Sequence, residues 1–274
     1  MFWALFCAAS LLIASNLMTD SRSEFLSEGD KRFRLYKREH QNAFNRGVGK
    51  RLLDFGCGEG RFVFAALRNG HEAYGVEVDD ERERQFVQNA ERFQNDARNA
   101  FYKYDGLLLP FENEYFDSIY SWFVFEHVES PQTSLREIAR VLKPGGTIII
   151  HADDVKNCWD GHFSAPIPPY LPKKFIPAYL EGLGKKELID FIISSVVYIS
   201  AEDVQNILVT LGLDVAYLGP KKVANPALVR EGLNVDNEAS ARRLGEKVRN
   251  AAPFISPIEN LLLYATKPNV GPGK

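Results

Sequence analysis

The residues best suited to chemistry are three glycines at alternate positions, placed directly after an apolar run that ends in a carboxylate. Asp54 precedes them, and the glycines are Gly56, Gly58 and Gly60. Strands that enter such a turn and leave it as a helix form ligand cradles in α/β proteins, because glycine reaches positive φ and lets a ligand approach bare backbone. Free N–H groups of the following helix then point at the ligand. The stretch therefore predicts a small-molecule site after the first strand.

The glycine spacing and two carboxylates narrow the class of ligand. The spacing is G-x-G-x-G, whereas G-x-G-x-x-G brings a pyrophosphate onto a helix. A diphosphate would also lie awkwardly beside Asp54, which suits a cationic amino group. Glu77 closes the next apolar run, where a carboxylate can accept both ribose hydroxyls. A nucleoside with an ammonium group and no phosphate indicates S-adenosylmethionine, and the spacing disfavours the rival interpretation as a nicotinamide oxidoreductase.

Four segments, taken in order, resemble one known family. They read LLDFGCGEG, YGVEVD, YDGLLLPFENEYFDSIY and FEHVESPQTSLREIARVLKPGGTIII. Over residues 51–151, and more weakly near Asp214 and Leu261, the chain is similar to class I S-adenosylmethionine-dependent methyltransferases of the small-molecule, ubiquinone-biosynthesis-like subgroup. The resemblance implies a doubly wound, mostly parallel seven-stranded α/β sheet whose last strand is antiparallel. It also implies direct in-line methyl transfer to an oxygen, nitrogen or carbon of a small-molecule or lipid-like acceptor.

Further candidates for the cofactor site follow the third and fourth strands. The family uses a carboxylate at the position of Asp105, beside Gly106, to accept the exocyclic amine of adenine; a plain turn residue before glycine is the alternative. Ser121 and Trp122 end the fourth strand and are expected beside the methionine part of the cofactor, although Trp122 could equally be core. Cys57, inside the glycine turn, is expected to be a small side chain that fits there rather than a reactive thiol. The stretch 107–111 would form an apolar wall for the base.

Two histidines are candidates for chemistry on the acceptor. His162 could deprotonate an acceptor hydroxyl, because imidazole titrates near neutrality, whereas His127 is more often packed or hydrogen bonded at its position. Neither is required, since the methyl donor is already activated and the protein mainly aligns the partners and excludes water. His151, Asp153 and Asp154 could join His162 around a metal, but paired Asp residues in a loop are more often solvated, so no metal is expected.

Composition and length bound the remaining possibilities. The 274 residues suffice for one methyltransferase domain over residues 21–274, with insertions at 152–200 and 219–259. The first insertion is too long for a simple connection and is predicted to be a lid that selects the acceptor; the second contains a predicted surface helix. A formal net charge of −3 gives no electrostatic case for nucleic-acid binding. Three widely spaced cysteines predict reduced thiols and a cytoplasmic location.

The first 20 residues leave several interpretations open. Residues 2–17 are mostly apolar and uncharged, but they fall short of the roughly 20 residues that span a bilayer, and no basic residue precedes them as in a secretory signal. They could be a membrane anchor, a helix packed on the domain, or an extension before a start at Met18. A non-catalytic, membrane-associated protein that retains the fold is therefore the alternative function. Residues 23–46 predict one or two amphipathic helices that either close over the cofactor or cover one sheet edge.

Overall fold

The protein is described here from a computed structural model. The structure describes residues 2–152, 154, 159–160, 165–168, 171–195, 197, 199–217, 226–250 and 261–269. The chain divides into two compact units. One comprises Met1–Tyr120 with Arg140–Thr147, and the other comprises Ser121–Ala139 with Ile148–Lys274. Strands four and five of the sheet run from one unit into the other.

Strands and helices alternate along the first half of the described chain. The strands are β1 (Arg51–Phe55), β2 (Glu72–Glu77), β3 (Phe101–Lys103), β4 (Phe116–Trp122), β5 (Leu142–Ala152), β6 (Trp159–Asp160), β7 (Ala165–Pro166), β8 (Asp214–Tyr217) and β9 (Leu261–Thr266). The helices are α1 (Phe2–Phe44), α2 (Arg61–Arg68), α3 (Asp80–Phe93), α4 (Pro131–Val141), α5 (Ile176–Leu183), α6 (Ile189–Ser195), α7 (Ala201–Thr210), α8 (Pro226–Leu233) and α9 (Glu238–Asn250).

Seven of these strands form one sheet in the order β3-β2-β1-β4-β5-β9-β8, and β6 pairs with β7 in a separate ribbon. The pairs β1–β2, β1–β4 and β2–β3 are parallel, whereas β8 and β9 are antiparallel. Parallel strands linked by helices produce a doubly wound, Rossmann-like α/β sheet. The predicted fold class is confirmed, including the antiparallel last strand.

Strand β5 begins earlier than the sequence predicts. Residues 143–146 (Lys-Pro-Gly-Gly) are typical of a helix stop and turn, and the strand was expected from residue 147, yet β5 starts at Leu142. Lys143 Nζ lies 2.5 Å from Asp117 Oδ1, and Arg46 donates a hydrogen bond to the Gly145 carbonyl. These contacts fix the stretch within the strand, and Gly145 takes the positive φ, 74°, that glycine favours.

Helix α1 is one continuous helix, and its second half packs on α2. A Cβ at Gly29 would lie 2.3 Å from the Arg61 carbonyl oxygen, so glycine is what permits this approach. The rings of Phe33 and Tyr36 lie 5.5 and 5.2 Å from that of Phe62. Tyr36 also contacts Tyr120 of β4, a central strand. Helix α1 therefore covers the middle of the sheet, and the sheet-edge interpretation is wrong.

A buried polar network joins α1 to strands β4 and β5. His40 Nδ1 donates to the Arg46 carbonyl at 3.0 Å, and His40 Nε2 accepts from Thr147 Oγ1 at 2.8 Å. Ser118 Oγ lies 2.8 Å from Thr147 Oγ1 and donates to the Val48 carbonyl at 2.6 Å. Burial lowers the pKa of His40 to about 4, so the imidazole is neutral and can accept. The network holds α1 against the sheet through contacts within the protein alone.

The two predicted insertions meet in one helical pair, which the sequence did not show. A Cβ at Gly182 of α5 would lie 2.1 Å from the Arg242 carbonyl oxygen of α9. A Cβ at Gly245 of α9 would lie equally close to the Tyr179 carbonyl oxygen, at 2.1 Å. Arg242 forms an ion pair with Glu181 at 2.6 Å. The two helices share an apolar core that also includes Ile167, Leu171, Ile176, Leu180, Leu183, Ile192, Val235, Ala241 and Leu244.

Within the described ranges, no helix combines the length and the apolarity that crossing a bilayer needs. Membrane association through residues 2–17 therefore stays a prediction.

Candidate cofactor site

The glycine turn after β1 is tied to β2 by main-chain hydrogen bonds. The N–H groups of Gly56 and Cys57 both donate to the Val76 carbonyl at 3.0 Å, and the Gly60 N–H donates to the Cys57 carbonyl at 3.0 Å. Gly56, Gly58 and Gly60 have φ of 79°, 51° and 91°. All three lie in the left-handed region that side chains disfavour, as expected for such a turn. The turn therefore ends at Gly60, directly before α2 begins at Arg61.

The second and third glycines of the turn have different physical roles. A Cβ at Gly60 would lie 2.6 Å from two carbons of the Phe86 ring, so this glycine is needed for packing. A Cβ at Gly58 would meet no atom within 4 Å. The backbone at Gly58 therefore borders open space, which is what the approach of a ligand requires.

Cys57 fits the packing role that the sequence predicts. A Cβ at Gly75 of the neighbouring strand would lie 2.5 Å from the Cys57 sulfur, so the thiol fills the space that this glycine leaves. The side chain is buried, and burial raises the pKa of the thiol. A thiol that resists ionisation is a poor nucleophile. Cys57 therefore supports the turn through its volume.

Glu77 is held at the end of β2 by hydrogen bonds from the glycine turn. Its Oε2 accepts from the Gly58 N–H at 3.0 Å, and its Oε1 accepts from the Val78 N–H at 2.8 Å. The carboxylate thus lies beside the open space at Gly58 with its orientation fixed. Strand β2 delivers it there because β1 and β2 are parallel and end at the same side of the sheet.

Asp54 is a buried carboxyl at the end of β1, opposite Tyr120 in the register with β4. Its pKa is raised to about 7, mainly because the carboxyl is buried; the positive charge of Arg32 on α1 lowers the pKa, and repulsion from Glu77 raises it. Near neutral pH, the ionisation of Asp54 is therefore sensitive to any charge that arrives nearby. An ammonium group would favour the ionised form.

Asp105 holds the loop that follows β3. Its Oδ1 accepts from the N–H groups of Leu107 and Leu108 at 2.8 and 2.9 Å, and these hydrogen bonds lower its pKa. Gly106 beside it has φ of 83°, and a Cβ there would meet no atom within 4 Å. The turn role of Asp105 is thus present, and its contact with adenine stays a prediction.

The stretch 107–111, predicted as an apolar wall for the base, contains both exposed and buried residues. Leu107 and Leu108 are 62% and 63% exposed, whereas Leu109 is buried. Phe111 packs among aromatic rings of the unit that contains β1. Pro110 is exposed as well, so Leu107, Leu108 and Pro110 are the residues of this stretch that are open to a ligand.

The predicted residues of the second unit are Ser121, Trp122 and His127. Ser121 is fully buried, and its hydroxyl has no hydrogen-bond partner among the described residues. Successive strand residues point to opposite faces, so Ser121 and Trp122 cannot present side chains to the same face of the sheet. The Trp122 ring lies 4.3 Å from that of His151. His127 ends a 3₁₀ turn that starts at Phe125, and its N–H donates to the Val124 carbonyl.

Some sequence predictions fall outside the described residues, and some features of the structure were not predicted. His162 and Asp153 lie outside the described ranges. Within those ranges, no group of three or more His, Cys, Asp or Glu side chains is arranged to hold a metal. The contact of His151 with Trp122 and the positive φ of Phe123, 55°, were missed. The contact between Trp122 and His151 could have been predicted, because both residues lie at the ends of successive strands. The left-handed conformation of Phe123 has no signal in the sequence.

The donor set of the first unit fits S-adenosylmethionine. It offers an open stretch of backbone at Gly58, a fixed carboxylate at Glu77 and a buried carboxyl at Asp54. Carboxylates suit ribose hydroxyls and an ammonium group, and they oppose a phosphate. The seven-stranded sheet and these carboxylates are what a Rossmann-like class I methyltransferase domain requires.

Comparison with known proteins gives the family. Residues 53–150 match the family described as "Methyltransferase domain". This part of the chain is therefore a methyltransferase domain, and the resemblance inferred from the sequence motifs is confirmed.

Curated relatives match over part of their length. A demethylmenaquinone methyltransferase of Clavibacter sepedonicus is 33% identical over 103 residues, which cover 38% of this chain and 41% of that protein. A sterol 24-C-methyltransferase of Schizosaccharomyces pombe is 31% identical over 118 residues, which cover 42% of this chain and 31% of that protein. The chain thus spans less than half the length of these relatives.

Solved structures show the same fold. The [4+2]-cyclase SpnF matches with a TM-score of 0.52 and 18% identity, over 85% of this chain and 80% of that one. Its name shows that the fold also belongs to a protein called a cyclase. The fold alone therefore does not determine the reaction, which depends on the residues of the site.

Proposed function

We propose that the protein is an S-adenosylmethionine-dependent methyltransferase that methylates a small-molecule or lipid-like acceptor directly. One observation supports this most strongly. The Gly58 N–H donates to the Glu77 carboxylate at 3.0 Å, and the space that a Cβ at Gly58 would enter holds no atom within 4 Å. A ribose with two free hydroxyls fits that arrangement. Two curated relatives are named as methyltransferases of demethylmenaquinone and of a sterol, and these names support the acceptor class.

Each carboxylate of the first unit takes one part of the cofactor. Asp54 holds the amino group of the methionine part, directly or through a water molecule, and Glu77 accepts the ribose hydroxyls. Asp105 accepts the exocyclic amine of adenine through the oxygen that does not bind the loop. Leu107 and Leu108, both exposed, cover the base. This assignment uses hydrogen bonds to charged acceptors, which are stronger than neutral ones.

The remaining predicted residues act through the backbone or by packing. Gly56, Gly60 and Gly106 keep their backbones at positive φ, and Cys57 fills the turn. Ser121, at the end of β4, stays a candidate for the methionine part. When bound, the cofactor supplies an activated methyl group, so the chain's own work is to align the acceptor and exclude water. His127 and His162 stay candidates for the acceptor side, and the buried free thiol of Cys57 is compatible with the reducing cytoplasm.

Calorimetry with S-adenosylmethionine tests the proposal. Glu77→Ala and Gly58→Val should each weaken binding at least tenfold, roughly the loss of one charge-assisted contact. Glu72→Ala is the matched control, because Glu72 lies at the other end of β2 and pairs with Lys50 and Arg51. Its affinity should equal that of the wild type. Unchanged affinity in both Glu77→Ala and Gly58→Val would contradict the assignment.

A further inference from the structure

The carboxyl ends of β4 and β5 bring together an indole and an imidazole. Trp122 is the last residue of β4, and His151 is the last but one of β5. Their ring centroids are 4.3 Å apart with an interplanar angle of 33°. His151 is 7% exposed, whereas Trp122 is only partly buried. An imidazole therefore lies against an aromatic surface at the strand ends where α/β proteins bind ligands.

The backbone that follows Trp122 is held in an unusual conformation. Phe123 has φ of 55°, in the left-handed region where a bulky residue is rare. Its N–H donates to the carbonyl of His151 at 2.8 Å, and its ring packs edge-on to Trp122, with centroids 5.6 Å apart. The turn after β4 is thus anchored to the residue that carries the imidazole. Strained residues of this kind persist at functional sites, where the strain positions a group.

Resting on the methyl transfer proposed above, we propose that Trp122, Phe123 and His151 form the acceptor subsite and that its substrate is a planar phenol or enol. The half-buried indole and the phenyl ring match the faces of a planar ring. The imidazole is the side chain best suited to take a proton from a weakly acidic hydroxyl near neutral pH. His151 is then a catalytic residue that touches the acceptor hydroxyl.

The proposed step balances without a further reactant. The acceptor O–H bond breaks, and its proton goes to an unprotonated ring nitrogen of His151. The oxygen lone pair forms the new bond to the methyl carbon, while the carbon–sulfur bond of the donor breaks and leaves its electron pair on sulfur. The sulfur loses its positive charge, the imidazole gains one, and the proton later passes to water.

The test compares two phenols that differ in acidity. Labelled methyl transfer to phenol and to 4-nitrophenol is measured for the wild type, for His151→Gln and for His71→Gln. His71 is the control because it lies in the other unit, where its Nδ1 bonds the Gly49 carbonyl. His151→Gln should lower kcat about a hundredfold on phenol. The loss should fall below about tenfold on 4-nitrophenol, which is largely ionised without help. His71→Gln should match the wild type on both.

The variant Trp122→Leu and a titration of 4-nitrophenol test the aromatic part of the subsite separately. Trp122→Leu should raise KM about tenfold for both phenols without changing their ratio, because stacking is lost and the base is kept. An absorbance titration of 4-nitrophenol against protein saturated with S-adenosylhomocysteine should show the same loss of affinity. This titration requires no turnover. Wild-type affinity in Trp122→Leu would overturn the subsite.

The remaining outcomes separate this inference from the proposed function. Equal losses on the two phenols in His151→Gln would overturn the role of His151 as a base. Failure to methylate either phenol, with S-adenosylhomocysteine binding intact, would overturn the acceptor class and leave methyl transfer standing. Absence of S-adenosylhomocysteine binding to the wild type would instead overturn the proposed function itself.

Discussion

Glycine has opposite roles in the turn after β1 and in the crossing of α5 with α9. At Gly58 an added Cβ would meet no atom within 4 Å, whereas at Gly245 it would lie 2.1 Å from the Tyr179 carbonyl oxygen. The first glycine leaves space for something that is not protein, and the second lets two backbones touch. Ligand sites and tight helix contacts therefore both select glycine, and only the surroundings distinguish them.

The largest effect is expected at the helix crossing. Gly245→Val should destabilise the protein by about 4 kcal/mol or more, because the new side chain meets backbone that cannot move without separating α5 from α9. Thermal unfolding measures the loss. Gly47→Val is the control, since a Cβ at Gly47 meets nothing within 4 Å and its φ is not positive. Equal stability of the two variants would show that the crossing is not close-packed.

The next effect concerns the buried carboxyl beside the turn. The pKa of Asp54 is raised from 3.8 to about 7, so the folded state holds a proton that the unfolded state releases between these values. Stability contributed by this proton is full below the lower value and is lost as pH rises through about 7. Urea unfolding followed against pH should show a decline in the wild-type free energy of unfolding of about 4 kcal/mol over that range, and Asp54→Asn should not show it.

The same carboxyl links stability to binding in the turn region. S-adenosylmethionine should bind the wild type more tightly at pH 7.5 than at pH 6, because an ionised Asp54 attracts its ammonium group, roughly in proportion to the ionised fraction. Asp54→Asn should bind weakly at both pH values while being more stable at the higher one. A pH-independent affinity in the wild type would contradict this role.

A smaller effect separates two glycines inside the turn itself. Gly60→Ala should cost about 2 kcal/mol, because its Cβ would press on Phe86 at 2.6 Å and its φ is 91°. Gly58→Ala should cost about 1 kcal/mol, from its positive φ alone. Chemical denaturation of both variants gives the difference. A lower stability of Gly58→Ala than of Gly60→Ala would contradict the assignment of Gly58 to ligand space and of Gly60 to packing.

Local pattern explains why the turn was predicted and the crossing was not. The run from Leu52 to Gly60 contains the strand, the acid and the spaced glycines within nine consecutive residues, so neighbours in sequence are neighbours in space. Gly182 and Gly245 lie far apart in the sequence, and each is unremarkable in its own helix. Nothing local shows that they meet, and α9 was therefore predicted as a surface helix although Ala241 and Leu244 are buried.

The same reasoning applies to the candidate site. Glu77 and Asp105 were predicted from their places at strand ends, because parallel strands bring such ends together. The hydrogen bond from Gly58 to Glu77 depends on how the turn closes, which the motif does not state. The left-handed Phe123 is set by its bond to β5, a contact between segments that alternation and propensity do not describe.

The central claim is that a nucleoside lies across the turn after β1 with its ribose on Glu77. A crystal structure of the protein with S-adenosylhomocysteine tests it most directly. The account predicts ribose hydroxyls within hydrogen-bond distance of the Glu77 carboxylate and the ligand in van der Waals contact with the Gly58 backbone. A ligand bound elsewhere, or a turn whose open side is filled by the protein's own side chains, would contradict it.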